Sequence, residues 1–403
     1  MKVKINPCTL QGTVKAPPSK SMAHRLLICA GLAGGESIIE NISYSQDILA
    51  TIDCLEKMGA HISREDDKVW LTGTSPVRAQ ADVYPCRESG STLRFFIPLA
   101  MLNEKQSLFT GYGRLMARPM SVYEKIAGER GIPYKADADG ITVGGVLKGG
   151  KYSLNADVSS QFISGLLFAL PFCECDSEII LEGTISSKSY IDMTLEALSV
   201  FGVAAGWKNG NTLYIKGNQK YLCRDTAVEG DYSNAAFLDA FNYMGSSVAV
   251  EGLSEKTLQG DSIYKKYFSL LKSGTPTLDV TDCPDLAPIL MTLASELGGA
   301  TLTGTHRLKI KESDRGQVMK DELSKFGAQI DVLDDEIRIH KSTLHAPTEI
   351  LSSHNDHRVV MSLAVLCSKY GGEIENAGAV SKSYPDFFEK TKALGLEATI
   401  YDD

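Results

Sequence analysis

The sequence predicts an α/β (α+β) protein of two domains, built from six copies of one helix-and-strand unit. The chain has 403 residues, which is long for a single hydrophobic core, so two domains of roughly 200 residues are expected. The second observation is internal repetition, since similar segments at regular intervals indicate a repeated structural unit. Six apolar, helix-like runs recur at intervals of 70, 70, 74, 52 and 71 residues, starting at Ser19, Ser89, Ser159, Ser233, Asp285 and Asp356.

Each unit begins with a helix, because each apolar run starts at Ser or Asp, whose side chains accept hydrogen bonds from the first N–H groups of a helix. A β-rich segment follows, such as "ESIIEN" in the first unit and "SEIILEG" in the third. A second helix-like pattern comes next, for example "DRGQVMKDELSKFGA". Most units end in alternating residues around a turn, as in "DKVWLTG", which predicts a hairpin.

Six units divide naturally into two domains of three units each. We predict an N-terminal domain of residues 13–227 and a C-terminal domain of residues 228–403 together with residues 1–12. The segment "YLCRDTAVEGD" marks the seam between the third and fourth units. The shorter fourth interval predicts a trimmed hairpin near "LKSGTPTLDV".

Composition excludes several classes of protein. The net charge is −9, whereas proteins that bind nucleic acid or membrane surfaces usually present clustered Lys and Arg. No apolar run of about 18 residues and no signal-peptide pattern is present, so we expect a cytoplasmic protein. The nine cysteines lack the paired spacing of zinc ligands, and we expect reduced thiols and no metal.

Polar and cationic residues gather at two places in each unit. The first is the start of the leading helix, where unpaired N–H groups and a partial positive charge suit a phosphate group. The second is the loop after the strand. Together these positions contribute seven cations: Lys20, Arg25, Arg118, Lys311, Arg315, Arg358 and Lys382. Because equivalent ends of repeated units tend to share a face, an acidic protein with this pattern is expected to bind small molecules carrying several negative charges.

Each motif taken alone has a simpler structural interpretation. "SSQ" at Ser159 can be a helix cap, Arg118 a surface residue before a proline, and His357 a core histidine. In "KIKESDR", Lys311 and Arg315 would share one helix face, where like charges cost about 0.2–0.5 kcal/mol. Recurrence at equivalent positions of six units favours a functional site over six separate accidents.

Nine motifs in one order resemble the 5-enolpyruvylshikimate-3-phosphate synthase family, the 3-phosphoshikimate 1-carboxyvinyltransferases. They are "PPSKSMAHR", "SGSTLRF", "RLMARPM", "SSQFISGLL", "SKSYIDMT", "CPDLAP", "KIKESDR", "NDHRVVMS" and "SKSYPDFF". The resemblance implies a two-domain inside-out α/β barrel with three βαβαββ units per domain. It implies an enzyme of the shikimate pathway to chorismate and the aromatic amino acids. That enzyme moves the enolpyruvyl group of phosphoenolpyruvate to the 5-hydroxyl of shikimate 3-phosphate, releasing phosphate. We expect a monomer that uses no cofactor and no metal.

The resemblance also implies residue roles. Asp285, Glu312 and Lys20 are the expected catalytic residues, with Asp285 taking the proton of the acceptor hydroxyl and Glu312 serving the phosphoenolpyruvate carbon. The residues expected to bind shikimate 3-phosphate are Lys20, Ser21, Arg25, Ser159, Ser160, Gln161, Ser187, Tyr190, Asp285 and Lys311. Those expected to bind phosphoenolpyruvate are Lys20, Gly90, Arg118, Gln161, Arg315, Arg358 and Lys382. His357 is an expected auxiliary group.

The sequence departs from the family pattern at a few positions. "RESGS" has Glu88 where the family often has asparagine and Ser91 where it has threonine, so a carboxylate stands near an expected anion site. Arg307 replaces an asparagine found in some members, and Gly316 replaces an apolar residue. None of these residues belongs to the expected acid/base pair.

Two alternatives stay open at this stage. The UDP-N-acetylglucosamine 1-carboxyvinyltransferases share the fold and the enolpyruvyl donor, but they normally carry a reactive cysteine five residues before the Arg-Pro of a mobile loop. Here that position is Gly113. The second alternative is a non-catalytic anion-binding protein of the same fold, although carboxylates such as Asp285 and Glu312 would weaken the binding of polyanions.

Overall fold

The computed structural model describes residues 1–401 and divides by its internal contacts into two compact units. The N-terminal unit is Lys20–Glu229, and the C-terminal unit combines Met1–Ser19 with the chain from Gly230 onwards. The predicted boundaries at 12/13 and 227/228 therefore differ from the contact units by seven and two residues, by subtraction from 19/20 and 229/230. Residues 13–19 fall in the C-terminal unit because the strand that contains residues 13–15 pairs with a strand at 247–251.

The strands, in chain order, are β1 Lys2–Ile5, β2 Gln11–Lys15, β3 Glu36–Glu40, β4 His61–Glu65, β5 Lys68–Thr72, β6 Val83–Pro85, β7 Ser107–Thr110, β8 Tyr134–Asp137, β9 Gly140–Val143, β10 Lys151–Asn155, β11 Ser177–Glu182, β12 Ala205–Asn209, β13 Thr212–Ile215, β14 Thr226–Ala227, β15 Ser247–Glu251, β16 Thr277–Asp279, β17 Ala300–Thr303, β18 Gln329–Val332, β19 Glu336–His340, β20 Leu351–Ser352, β21 Gly372–Glu375 and β22 Ala398–Tyr401. The helices are α1 Lys20–Leu32, α2 Gln46–Met58, α3 Gly90–Ala100, α4 Ser121–Arg130, α5 Ser160–Ala169, α6 Lys188–Val200, α7 Tyr232–Ala240, α8 Tyr264–Ser273, α9 Ala287–Leu297, α10 Arg315–Ser324, α11 His357–Tyr370 and α12 Phe387–Ala393.

The repeated unit is plainest in the second and third copies. The second copy runs β6, α3, β7, α4, β8, β9 and forms a four-stranded sheet in the order β6-β7-β9-β8. Its first two strands are parallel, and β9 is antiparallel to both β7 and β8. The third copy has the same pattern, β10-β11-β13-β12. In the first copy the leading strand is β14, from the far end of the N-terminal unit, in the order β14-β3-β5-β4.

Two strands from the start of the sequence, β1 and β2, pair with strands of the C-terminal unit. The fifth copy has the full order β16-β17-β19-β18, whereas in the sixth the order is β20-β21-β1-β22. Strand β1 is antiparallel to both of its neighbours there. The fourth copy keeps only β15 paired in parallel with β2. Since α8 ends at Ser273 and β16 begins at Thr277, the predicted trimming of its hairpin is confirmed.

The leading helices form the interior of each unit. In α5, α9 and α11 nearly every residue is buried, whereas β4 is exposed along almost its whole length. A helix that is apolar around its circumference is one that lies inside a core. The helices therefore lie inside and the sheets outside, as the resemblance implied. Of the helices in residues 1–401, none is long and apolar enough to cross a membrane.

Most predicted helix starts are confirmed, and two are wrong. Ser89, Ser159 and Asp356 cap α3, α5 and α11 with their side chains. In contrast, α7 is capped by Asp231, which accepts a bond of 2.8 Å from Asn234 N, so this helix begins before Ser233. Asp285 lies in a 3-10 turn, Pro284–Leu286, ahead of α9, and its carboxylate is consequently available for other contacts.

All nine cysteines lie among the described residues, and all are free thiols, as predicted.

Candidate active site

The starts of α3 and α5 in the N-terminal unit bring together polar side chains that we name the Gly90 cluster: Gly90, Ser91, Arg94, Arg118 and Gln161. Gln161 bridges the two helices, because its Nε2 donates to Ser91 Oγ at 2.8 Å and its Oε1 accepts from Arg94 Nη1 at 2.7 Å. A Cβ on Gly90 would lie 2.5 Å from Arg118 Nη1 and 3.0 Å from Arg94 Nη1. A side chain at position 90 would therefore push at least one of the two guanidinium groups away from the start of α3.

Arg94 is the member of this cluster that sequence reasoning missed. It is 5% exposed, and its guanidinium lies over the ring of Phe162 at 5.0 Å. The available signal was its spacing, since a residue four positions after Gly90 lies on the same helix face. Two guanidinium groups beside a helix N-terminus form a suitable site for a phosphate or carboxylate group.

Lys20 and Arg25 begin the same unit on α1 but have different surroundings. Lys20 Nζ forms an ion pair with Asp47 Oδ2 at 2.7 Å, and 14% of its side chain is exposed. Arg25 is buried, and it donates from Nε to Thr194 Oγ1 at 2.8 Å and from Nη2 to the Tyr190 carbonyl at 2.9 Å. Burial lowers the pKa of Arg25 to about 10. Arg25 thus links α1 to α6.

The remaining predicted residues of this unit lie at helix starts. Ser21 belongs to the first turn of α1, and its carbonyl accepts from Arg25 Nη1. Ser159 caps α5 and Ser160 is its buried first residue. Ser187 precedes α6 in a left-handed conformation with φ of 56°. The Tyr190 ring lies 6.0 Å from the Arg25 guanidinium carbon, so Arg25 and Tyr190 form one neighbourhood.

In the C-terminal unit, Asp285 accepts from three cations. Its Oδ1 lies 2.7 Å from Arg315 Nη1 and 3.3 Å from Lys311 Nζ, and its Oδ2 lies 2.9 Å from Arg358 Nη2. Lys311 and Arg315 come from the fifth repeat unit, just before α10 and at its first residue, whereas Arg358 comes from α11 in the sixth unit. The structure thus brings the predicted proton acceptor together with three predicted anion-binding residues.

Arg315 in turn binds three carboxylates. Besides Asp285, it donates from Nη2 to Glu312 Oε2 at 2.7 Å and from Nε to Asp356 Oδ2 at 2.8 Å. Its side chain is only 1% exposed. We name these residues the Asp285 cluster: Asp285, Lys311, Glu312, Arg315, Asp356 and Arg358. One guanidinium therefore holds both predicted acid/base carboxylates.

The predicted helix face shared by Lys311 and Arg315 is wrong. A 3-10 turn covers His306–Ile310, Lys311 is extended with φ of −81° and ψ of −159°, and α10 begins only at Arg315. The two cations meet instead at Asp285 Oδ1, so a protein carboxylate supplies the anion between them. Glu312, from the same segment, accepts a hydrogen bond from Arg315.

Electrostatics in this cluster follow from burial and from the carboxylates. Burial opposes the charge of Arg315, but Asp356, Glu312 and Asp285 outweigh it and raise its pKa well above the ordinary value. The pKa of Arg358 is also raised, mainly by Asp285 against the effect of burial. Lys311 differs, because burial lowers its pKa and Asp285 only partly compensates. Lys311 is therefore the cation of this cluster that loses its proton most readily.

Lys382 and His357 complete the predicted residues of this unit. Lys382 is 8% exposed, and its Nζ donates to the Asn355 carbonyl at 2.7 Å. Both His354 and Asn355 have positive φ, of 49° and 59°, which turns the backbone sharply before α11. The His357 ring is buried, with Nδ1 3.9 Å from Asp356 Oδ1. His357 is thus a buried neighbour of the Asp285 cluster.

Lys309 and Asp314, in the stretch "KIKESDRGQ", lie outside the Asp285 cluster. Lys309 pairs with Asp334 at 3.1 Å and is exposed. Asp314 caps α10 by accepting from Gln317 N.

Gly316 is buried, and a Cβ there would lie 3.1 Å from Ile337 Cδ1. A larger side chain at 316 would therefore press against β19.

A further buried acid lies near Asp285 and was not predicted from the sequence. Asp261 is 2% exposed and is hydrogen bonded to the Ser233 hydroxyl. Burial, followed by the charge of Asp285, raises the pKa of Asp261 to about 7, while Arg358 acts in the opposite direction. The C-terminal unit therefore holds a second carboxyl group whose charge is felt by the Asp285 cluster.

Each cluster suits a different chemical task. The Gly90 cluster offers guanidinium and amide donors that can bind an anion. The Asp285 cluster offers carboxylates held among cations, an arrangement that allows proton transfer close to negatively charged reactants.

Comparisons with known proteins agree on one family. A family model described as EPSP synthase (3-phosphoshikimate 1-carboxyvinyltransferase) matches residues 5–391. A relative from Clostridium novyi (strain NT), named 3-phosphoshikimate 1-carboxyvinyltransferase, is 40% identical over 98% of this chain and 97% of its own. A relative of the same name from Clostridium kluyveri is also 40% identical, with the same coverage.

Solved structures show the same fold. An EPSP synthase from Acinetobacter baumannii aligns over 100% of both chains with a TM-score of 0.82 and 23% identity. The enolpyruvyl transferase NikO from Streptomyces tendae aligns over 99% of this chain and 98% of its own, with a TM-score of 0.78 and 14% identity. The predicted fold class is confirmed. From the match over almost its whole length, the chain belongs to the EPSP synthase (3-phosphoshikimate 1-carboxyvinyltransferase) family, which confirms the predicted enolpyruvyl transferase.

Proposed function

We propose that this chain transfers the enolpyruvyl group of phosphoenolpyruvate to the 5-hydroxyl of shikimate 3-phosphate with Asp285 and Glu312 as its acid/base carboxylates. The observation that carries the proposal is the single guanidinium of Arg315, which contacts Asp285 Oδ1 and Glu312 Oε2 at 2.7 Å each. A polyanion-binding protein without catalysis would gain nothing from carboxylates in this position, since they compete with the ligand for the same donors.

The reaction needs two proton-transfer groups. The acceptor hydroxyl oxygen bonds to C2 of phosphoenolpyruvate and gives its proton to Asp285, while C3 takes a proton from Glu312. The resulting tetrahedral intermediate then returns a proton from C3 to Glu312 while the bond from C2 to the phosphate oxygen breaks, which releases phosphate and restores the double bond. Lys20 is the third proposed catalytic group, because an ammonium can stabilise the charge of the leaving phosphate.

The proposed substrate contacts follow the roles implied by the family resemblance. For phosphoenolpyruvate they combine Gly90, Arg118, Gln161 and Lys20 with Arg315, Arg358 and Lys382. For shikimate 3-phosphate they are Lys20, Ser21, Arg25, Ser159, Ser160, Gln161, Ser187, Tyr190, Asp285 and Lys311. His357 is proposed as an auxiliary group. In support, Gly90, Arg118 and Gln161 belong to one cluster, and Asp285, Lys311, Arg315 and Arg358 to another.

We also propose that the protein acts as a cytoplasmic monomer without metal or cofactor, and that the two contact units correspond to its two folding domains. Size-exclusion chromatography with light scattering tests the first point, since a dimer would give about twice the mass of 43.7 kDa.

The deciding experiment measures phosphate release from phosphoenolpyruvate with each possible acceptor. We expect release that depends on shikimate 3-phosphate. Release with UDP-N-acetylglucosamine alone would instead support the rival transferase, and release with neither would support a binding protein. The rival is disfavoured because Gly113 stands where that family normally carries its reactive cysteine.

A further inference from the structure

The loop of residues 111–118, which we name the Arg118 loop, connects β7 to α4 and rests on the two residues that precede the cap of α3. Those two residues are Arg87 and Glu88. Glu88 is the carboxylate that stands where the family often has asparagine. Its carboxylate lies against the Arg118 loop at Gly113.

Arg87 forms the fixed part of this support. Its backbone is left-handed, with φ of 51°. Its side chain is tied to α2, donating to Asp53 Oδ2 from Nε at 2.9 Å and to Gln46 Oε1 from Nη1 at 2.6 Å. Its carbonyl accepts from Tyr112 N at 2.9 Å. Because a Cβ on Gly111 would lie 2.8 Å from that carbonyl oxygen, the loop backbone lies directly against Arg87.

Glu88 provides the second contact. A Cβ on Gly113 would lie 1.8 Å from Glu88 Oε1 and 2.7 Å from Glu88 Cδ, so the carboxylate packs on the Gly113 backbone. Gly113 also has φ of 62°, which disfavours a side chain by itself. The carboxylate therefore turns towards the loop. The atoms nearest to a Cβ on Gly90 belong instead to Arg118 and Arg94.

The far end of the same loop carries Arg118 to the Gly90 cluster. Leu115 is buried, with 1% exposure, and its carbonyl accepts from Arg118 N at 3.1 Å. Arg118 Nη1 then lies 2.5 Å from the Cβ position of Gly90. The position of the guanidinium thus depends on how the turn at Gly113 is held.

We propose that Glu88 is a positioning residue, which supports the Arg118 loop at Gly113 and thereby sets the place of Arg118 beside α3. This role rests on the proposed contact of Arg118 with phosphoenolpyruvate. Glu88 itself touches no reacting atom. Its effect should therefore appear in KM for phosphoenolpyruvate rather than in kcat or in KM for shikimate 3-phosphate.

A double-mutant cycle on Glu88 and Gly113 tests the proposal. Glu88→Ala should raise KM for phosphoenolpyruvate about tenfold with kcat changed less than about threefold. Glu88→Gln, which keeps the shape, should stay close to the wild type. Gly113→Ala should lower Tm through the collision with Glu88 and through its left-handed φ of 62°, and Glu88→Ala added to it should recover the part of the loss due to the collision while KM stays high.

The matched control is Gly128→Ala in α4, where a Cβ would meet no heavy atom within 4 Å. It should leave KM unchanged. The proposal is overturned if Glu88→Ala leaves KM unchanged, if Glu88→Gln is as impaired as Glu88→Ala, or if the two Tm effects simply add. A wild-type protein that releases no phosphate with shikimate 3-phosphate would refute the proposed function instead, and the Tm cycle would still test the contact.

Discussion

Arg315 Nη1 lies 2.7 Å from Asp285 Oδ1, and this bond ties a buried arginine to the carboxylate proposed as proton acceptor. Lys311 shares the same oxygen at 3.3 Å, and Arg358 holds the other oxygen at 2.9 Å. A substrate anion that binds these cations must compete with Asp285. Binding would then loosen the hold on the Asp285 oxygens, which are the atoms that must accept a proton.

Asp285→Asn tests this carboxylate directly. The amide keeps the size of the side chain but cannot accept the hydroxyl proton, so kcat should fall by about 10²- to 10⁴-fold. The rate of phosphate release at saturating concentrations of both substrates measures kcat. Asp334→Asn, at an exposed carboxylate paired with Lys309, is the matched control and should keep wild-type kcat. A kcat for Asp285→Asn within about threefold of the control would exclude the proposed role.

Arg94→Leu tests the residue that the sequence did not reveal. The change leaves Gln161 Oε1 without the donor seen at 2.7 Å, which should cost about 1–3 kcal/mol and lower Tm. It also removes a guanidinium from the Gly90 cluster, so KM for phosphoenolpyruvate should rise. Arg64→Leu removes an exposed arginine from β4 for comparison. Equal Tm and KM for the two variants would refute the role of Arg94.

Lys311→Arg tests the pH dependence expected from burial. Because burial lowers the pKa of Lys311, the lysine loses its charge at a lower pH than an exposed lysine does. Affinity for shikimate 3-phosphate should therefore weaken on the alkaline side, seen as a rise in KM. Arginine keeps its charge over this range, so the alkaline rise should move to higher pH in the variant. If KM for shikimate 3-phosphate depends on pH in the same way in both proteins, Lys311 does not cause the alkaline rise.

Asp261→Asn tests a link between pH and stability. The raised pKa, about 7, means that folded Asp261 keeps its proton while the unfolded chain loses it near pH 4. Between these pH values the folded state binds more protons, so stability falls as pH rises. Asparagine does not titrate, and Tm of the variant relative to the wild type should therefore increase from pH 4 to pH 7. A difference in Tm that stays constant from pH 4 to pH 7 would contradict the prediction.

Local patterns predicted much of the fold. The apolar runs located the leading helices, and Ser89, Ser159 and Asp356 cap theirs as expected. The pairing of β1 with β21 and β22 was not predictable, because four alternating residues at the chain start carry no signal of partners nearly 400 positions away. The same holds for β14, which joins β3 across most of the N-terminal unit.

The candidate site was predictable as a set of residues and less so as a geometry. Repetition and family resemblance named Asp285 and Arg315, but the helix spacing gave the wrong reason for the meeting of Lys311 and Arg315. Both cations contact the carboxylate of Asp285, which lies at the start of the same repeat unit, and only tertiary packing brings it to them. Asp261 was missed because burial and a neighbouring charge, which raise its pKa, arise only from tertiary packing.

Strand β1 has a consequence for how the chain folds. It is synthesised before residues 20–229, whereas both of its neighbours, β21 and β22, are synthesised after them. The N-terminal unit, Lys20–Glu229, can form while synthesis continues. The sixth sheet cannot close until β22 has been made, so its closure joins segments that are far apart along the chain, which is a slow kind of contact to form.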